Sequence, residues 1–165
     1  MFNFRNSVFV LTLFSTLGCG LMAGVFFAFS GFVMKGLGRV PANEGIAAMQ
    51  SINQVVPGSA FGAAFMITPI ICLAAMFAAI WQRSETGGIY ILAGGIIYLV
   101  TSLLVTLVFN VPLNDSLAAI PANSPEGAAY WSVYQNSWNW WNHVRMIGSL
   151  ASTVAFIFAL LRQTF

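Results

Sequence analysis

Charge is what this sequence has least of. Its 165 residues include six basic and four acidic side chains, 6% of the chain, where an ordinary soluble domain carries about 25%. None lies between Arg5 and Lys35, Glu44 and Arg83, Glu85 and Asp115, or Arg145 and Arg162. A soluble fold is excluded, because nothing would solvate its outer surface. Metal ligands are scarce as well. One histidine, two cysteines and no carboxylate pair do not assemble a zinc or non-haem iron site. Axial haem ligation by His143 has no further support in the sequence. There is no phosphate-cradling glycine loop and no nucleophile–base signature. No run of Lys or Arg points to nucleic acid or anionic lipid as a partner. The expectation is a chain without cofactor, metal or nucleic acid.

What is present is hydrocarbon. Apolar residues make up 59% of the sequence, and the charge-free stretches are long enough for spans of roughly 20 residues. The spans run approximately Ser7–Met34, Ser59–Trp81, Gly88–Asn110 and His143–Leu161. Arg5 followed by an apolar run resembles an export signal, and Thr16-Leu17-Gly18-Cys19 a lipoprotein box. The run continues through Phe26, Phe27, Phe29 and Phe32 to Val33, far beyond a signal core of about 7–15 residues. It reads as a retained first span. Cys19 and Cys72 lie deep in spans one and two, where antiparallel threading permits contact and where two small buried side chains are the simple reading.

The fold class is all-α, a four-helix transmembrane bundle in a single domain, 1–165. Gln82–Gly87 is a short polar connection, so spans two and three form a helical hairpin. The other connections, 35–58 and 111–142, are long and share the opposite face. Glu44–Val55 has helical spacing and ends at Pro57-Gly58. No breaker occurs from Gly127 to Gly148, so a helix beginning near Pro125 runs straight into span four. Pro41-Ala42-Asn43 before Glu44-Gly45 and Pro121-Ala122-Asn123 before Glu126-Gly127 suggest a duplicated two-span unit. Pro112 should end span three. Gly20, Gly24 and Ala28, and Gly148, Ser152, Ala155 and Ala159, form small-residue stripes for close packing. Setting Arg145 aside, the basic residues slightly favour cytoplasmic termini, in a bacterial inner membrane. The bilayer is the first partner, and homo-oligomerisation stays open.

Polar groups collect at the long-loop end. Asn53 closes the loop helix, Asn110, Asn114 and Asp115 close span three, and Trp138, Trp141, Asn142, His143 and Arg145 open span four. Trp131, Tyr134, Trp138, Trp141 and Arg145 alternate by three and four, which makes one stripe that continues onto Gly148 and Ser152. Arg145 should point inward beneath Trp141, with Asn142 on the same side. His143 is roughly 200° from Trp141 and aligns with Ile147, Leu150 and Val154, on a lipid-facing side. Each feature has a bland alternative: an interfacial tryptophan belt, an Arg145–Asp115 ion pair, asparagines that terminate helices, and a histidine snorkelling at the interface.

Met49-Gln50-x-x-Asn53, Asn110-x-Pro112-Leu113-Asn114 and Trp141-Asn142-x-x-Arg145, in a four-span chain containing Gly24-Val25-Phe26-Phe27, resemble the anthrone oxygenase-like membrane family. The resemblance implies a small integral membrane protein. From the family's characterised fungal members it implies oxidation of an anthrone to an anthraquinone by dioxygen, without metal or flavin. Asn142, Arg145, Asn110 and Asn114 would then be oxyanion donors, with Asn53 beside them, and the Trp138 and Trp141 rings would stack a flat polycycle. Asp115 or His143 would serve as base. The alternative is a non-enzymatic membrane protein that binds a lipid or quinone, or an assembly subunit.

Overall fold

The computed structural model describes residues 4–82 and 87–164, and all regular structure in them is helical. Helix α1, 4–37, is an α-helix over Phe4–Ala28, a π turn over Phe29–Val33 and a last α turn over Met34–Leu37. Helix α2 spans Ala42–Val55 and α3 spans Ala60–Trp81. Helix α4, Gly88–Ala118, has π segments over Leu99–Leu104 and Thr106–Asn110. Helix α5 is unbroken over Pro125–Thr164. Four helices, α1, α3, α4 and α5, are long and apolar enough to cross a membrane, as expected of a multi-pass membrane protein. Residues 83–86 of the expected hairpin turn lie outside the described residues, and Arg83 and Glu85 with them. Gly87 starts α4 at φ 84°, a left-handed conformation that favours glycine.

Local chemistry explains the breaks. Pro57 and Gly58 sit in a 3₁₀ turn, Val56–Gly58, after α2. Ser59 then caps α3, its Oγ accepting the Gly62 amide at 3.1 Å. Ser124 does the same before α5, accepting the Gly127 amide at 3.0 Å. Pro112 does not end span three. The helix widens into the π turn at Thr106–Asn110 and resumes over Val111–Ala118 with proline in its first turn, where the missing N–H costs least.

Helix α5 packs on α1 and α4, and α3 closes the ring between those two. At 1.5 Å per residue its 40 residues extend roughly 60 Å, about twice the thickness of a hydrocarbon core. Two cores result. Cys19, Met22, Phe26, Cys72, Ile91, Tyr98 and Phe156 fill the bundle. Met34, Ile46, Met49, Leu117, Trp131, Tyr134 and Trp138 fill a cap built by α2, the ends of α1 and α4, and the start of α5. The cap is held by an exchange of amides. Gln50 of α2 donates to the Leu117 and Ile120 carbonyls at the end of α4, and Gln135 of α5 donates to the Met34 carbonyl near the end of α1.

Of the small-residue stripe expected on α1, Gly20 faces Thr153 of α5, and Gly24 is corrected. Gly24 is exposed and has no neighbour near its Cβ direction. The inward face carries Val8, Thr12, Ser15, Cys19, Met22, Phe26 and Ser30 instead. The stripe on α5 does make a close approach. A Cβ at Gly148 would collide with the Thr101 side chain on α4. Gly148→Ala should therefore lower stability by about 1–3 kcal/mol, read by thermal unfolding in detergent. Adding Thr101→Ala should restore most of the loss, and no rescue would place the defect elsewhere.

Candidate functional site

Among the described residues, one cation is buried, and it lies where the two cores meet. Arg145 is 6% exposed, and its α5 position, two turns from Trp138 through Asn142, turns it inward. Nη2 donates to Asn142 Oδ1 at 2.7 Å, and Nη1 donates to Thr106 Oγ1 of α4 at 3.2 Å. Rings cover the guanidinium, with the Phe26 centroid 4.5 Å and the Trp138 centroid 5.1 Å from its central carbon. Each such contact is worth about 0.5–2 kcal/mol. Nε is buried without a partner. Among the described residues no carboxylate pairs with this arginine.

Asn142 ties the arginine to α1. Guanidinium only donates, so the amide oxygen faces Arg145 and Nδ2 is free to donate. It does so twice, to the Phe26 carbonyl at 2.8 Å and to Ser30 Oγ at 2.7 Å. The π turn of α1 starts three residues after Phe26, and such turns loosen the backbone ladder and leave carbonyls available to side chains. Asn142 and Asn110 are both essentially fully buried. Asn110 donates to the Trp138 carbonyl at 3.2 Å, while its Oδ1 has no partner.

A second polar group sits higher in the cap. The Tyr134 hydroxyl donates to Asn114 Oδ1 at 2.9 Å and lies beside Asn53. Tyr134 stacks between Trp131 and Trp138, at centroid distances of 5.6 and 6.5 Å. The unpartnered buried atoms follow this face of α5. Asn53 Nδ2, Trp131 Nε1, Trp138 Nε1 and Arg145 Nε are donors, and Asn110 Oδ1 and Asn139 Oδ1 are acceptors. Unpaired buried polar atoms are costly, so this column is suited to receive polar atoms of a guest. Outside it, the start of α2 at Ala42 and Asn43 and the segment Ala122–Pro125, with Ala128, line a groove of about 420 Å³. Ala128 is one helical turn before Trp131, so the groove opens at the outer end of the ring column.

Several expected site residues are placed otherwise. Asp115 is exposed, because α4 continues through Pro112 and carries it to the outer side. His143 is half-buried and its Nδ1 donates to the Asn139 carbonyl of its own helix at 2.6 Å. Neither contacts Arg145. Trp141 stacks on Phe109, with centroids 3.6 Å apart and planes 8° from parallel, and Trp138 takes the place above the guanidinium. Phe26, Ser30 and Thr106 were not anticipated. Thr106 had a signal: Ser102, Thr106, Asn110 and Asn114 recur every four residues. In a regular helix at about 100° per residue such a row drifts round, and the wider π turns of α4 reduce that drift. Within the described residues no three His, Cys, Asp or Glu side chains gather, so no ligand set for zinc or non-haem iron is formed there.

A family model described as Anthrone oxygenase matches residues 58–155. Neither a curated protein nor a solved structure matches the chain. The matched region contains Thr106, Asn110, Asn114, Trp138, Asn142 and Arg145, and it leaves out α1 and Asn53. Since the match takes in more than half of the sequence and the whole Arg145 side of α4 and α5, this chain belongs to the anthrone oxygenase family.

Proposed function

We propose that the protein binds the anion of a planar phenolic or anthrone-type molecule at Arg145 and passes its electrons to dioxygen. The observation that carries this reading is a buried guanidinium whose partners are neutral: one amide, one hydroxyl and two ring faces. A charge kept among apolar helices without a counter-ion is a functional feature by default. An enolate or phenolate oxygen would supply the missing negative charge, with Arg145 Nε as its unused donor. The polycycle would displace Phe26 or Trp138 and take over the stacking that those rings supply.

The reaction is balanced without further groups. An anthrone methylene loses a proton, and its carbanion gives electrons to dioxygen as a carbon–oxygen bond forms. Loss of the second proton with cleavage of the resulting peroxide yields the quinone carbonyl and water. Asp115 and His143 are away from Arg145, so they do not serve as bases at the guanidinium. Deprotonation takes place at the wet boundary where they lie, and the site selects the anion. Arg145 and Asn142 then lower the energy of the oxyanion in a dry environment. The setting is a bacterial inner membrane with cytoplasmic termini, and the groove between the long loops admits the substrate.

A second reading draws on the rings over the guanidinium. Filled faces also suit a protein that only binds a quinone or lipid, with Arg145 as a structural centre. Turnover separates the two. Purified protein given an anthrone in air should raise the rates of quinone formation and oxygen uptake above the spontaneous rate. Arg145→Gln should reduce the enzymatic part on the order of 10²-fold. Wild-type protein that adds nothing over a panel of such phenols would leave the binding reading standing. Asn142→Ala removes the acceptor of Arg145 and the donor to α1, and should cost about 1–3 kcal/mol. Denaturant unfolding in mixed micelles measures this, and an unchanged midpoint would show that the amide is not needed to hold the arginine.

A further inference from the structure

Outside the Arg145 site, a second polar layer crosses the apolar bundle. Cys19 of α1 and Cys72 of α3 are fully buried, with their sulfurs 3.9 Å apart. Cys19 Sγ is 3.5 Å from Ser152 Oγ of α5, and that hydroxyl donates to the Gly94 carbonyl of α4. All four spanning helices therefore meet in this layer. Ser15 and Tyr98 join it. Ser15 lies beside Cys72, and Tyr98 lies near both thiols and Thr68. Both residues are fully buried, and neither hydroxyl makes a well-formed hydrogen bond, with the Cys72 thiol the neighbour of Ser15 and Thr68 that of Tyr98. Small thiols at a helix crossing can be explained by packing. Packing does not explain two poorly satisfied hydroxyls beside them, since burying a hydroxyl without a good hydrogen bond is unfavourable.

We propose that Cys19 and Cys72 form an oxidisable dithiol that closes to an intramembrane disulfide on reaction with hydrogen peroxide. The burial selects the oxidant. Thiols with no exposed surface are closed to a bulky disulfide or a carrier protein, whereas peroxide is uncharged and close to water in size. The Ser15 and Tyr98 hydroxyls beside the thiols are positioned to hold it. One sulfur attacks the peroxide, the O–O bond breaks, and a sulfenic acid forms while the thiol proton leaves in water. The second thiol displaces the sulfenic oxygen as another water, and the S–S bond forms. The sulfurs lose two electrons and the peroxide gains them. The bond would fix α1 to α3 about two turns from Phe26, the ring over Arg145. This proposal does not depend on the oxygenation reading.

The test uses the full chain in lipid nanodiscs, hydrogen peroxide as the probe, and intact mass after denaturation and maleimide labelling. Cys19 and Cys72 are the protein's two cysteines, so the reduced protein should take up two labels. Within hours of peroxide treatment the protein should take up none and be lighter by two hydrogens. Dithiothreitol should restore both labels, and a peptide containing Cys19 should be found linked to one containing Cys72. Cys72→Ser should leave Cys19 without a cross-link, while the wild-type result stands alone should that variant not fold. Two labels after peroxide, added oxygen without loss of hydrogen, or a covalent dimer would each overturn the proposal.

Discussion

The structure depends on how one guanidinium is neutralised without an acid. Arg145 is enclosed where the bundle core gives way to the cap, and its surroundings are dipoles and ring faces. Each of these weakly offsets the cost of removing a full charge from water, and they come from three helices. Asn142 links the arginine to the backbone of α1, Thr106 links it to α4, and Trp138 covers it from α5 itself. Their arrangement makes the site a junction as much as a pocket. An anionic guest would do electrostatically what the protein leaves undone.

The helices are shaped to meet that requirement. The π turn of α1 begins near the Phe26 carbonyl and Ser30, both of which accept from Asn142. The π segments of α4 run up to Asn110 and keep the hydroxyl row, including Thr106, toward α5. The unbroken length of α5 lets one helix carry the ring column of the cap and the polar seam of the bundle. Ser102 and Ser149 continue this seam with hydroxyls 2.6 Å apart, and Ser152 carries it to the thiol layer.

Much of this was legible in the residues. Four charge-free runs defined the spanning helices, the absence of breakers after Gly127 implied the long α5, and alternate three- and four-residue spacing turned Arg145 inward. The π turns were not legible, because nothing in Phe29–Val33 distinguishes it from other apolar helix. Their i→i+5 pattern depends on what packs against them. Trp141 and Trp138 exchanged roles for a related reason: Phe109, on a neighbouring helix, offers Trp141 a parallel ring. Gly24 proved a poor guide to the inner face of α1, although Gly18 closely approaches Thr68 of α3. Thr12, Ser15, Cys19 and Ser30 marked it better, since in lipid a polar side chain turns toward protein. Asp115 was placed at the site on the assumption that Pro112 stops the helix, and one widened turn before the proline removed that stop.

The most direct test of an anion-receiving arginine compares two ligands that differ only in charge. Quenching of tryptophan fluorescence would be titrated with a hydroxyanthracene-type phenol above its ionisation and with its O-methyl ether. The account predicts that the phenolate binds at least tenfold more tightly, about 1.4 kcal/mol or more, and that Arg145→Gln abolishes the preference. Equal affinities for the two ligands in the wild-type protein would contradict it.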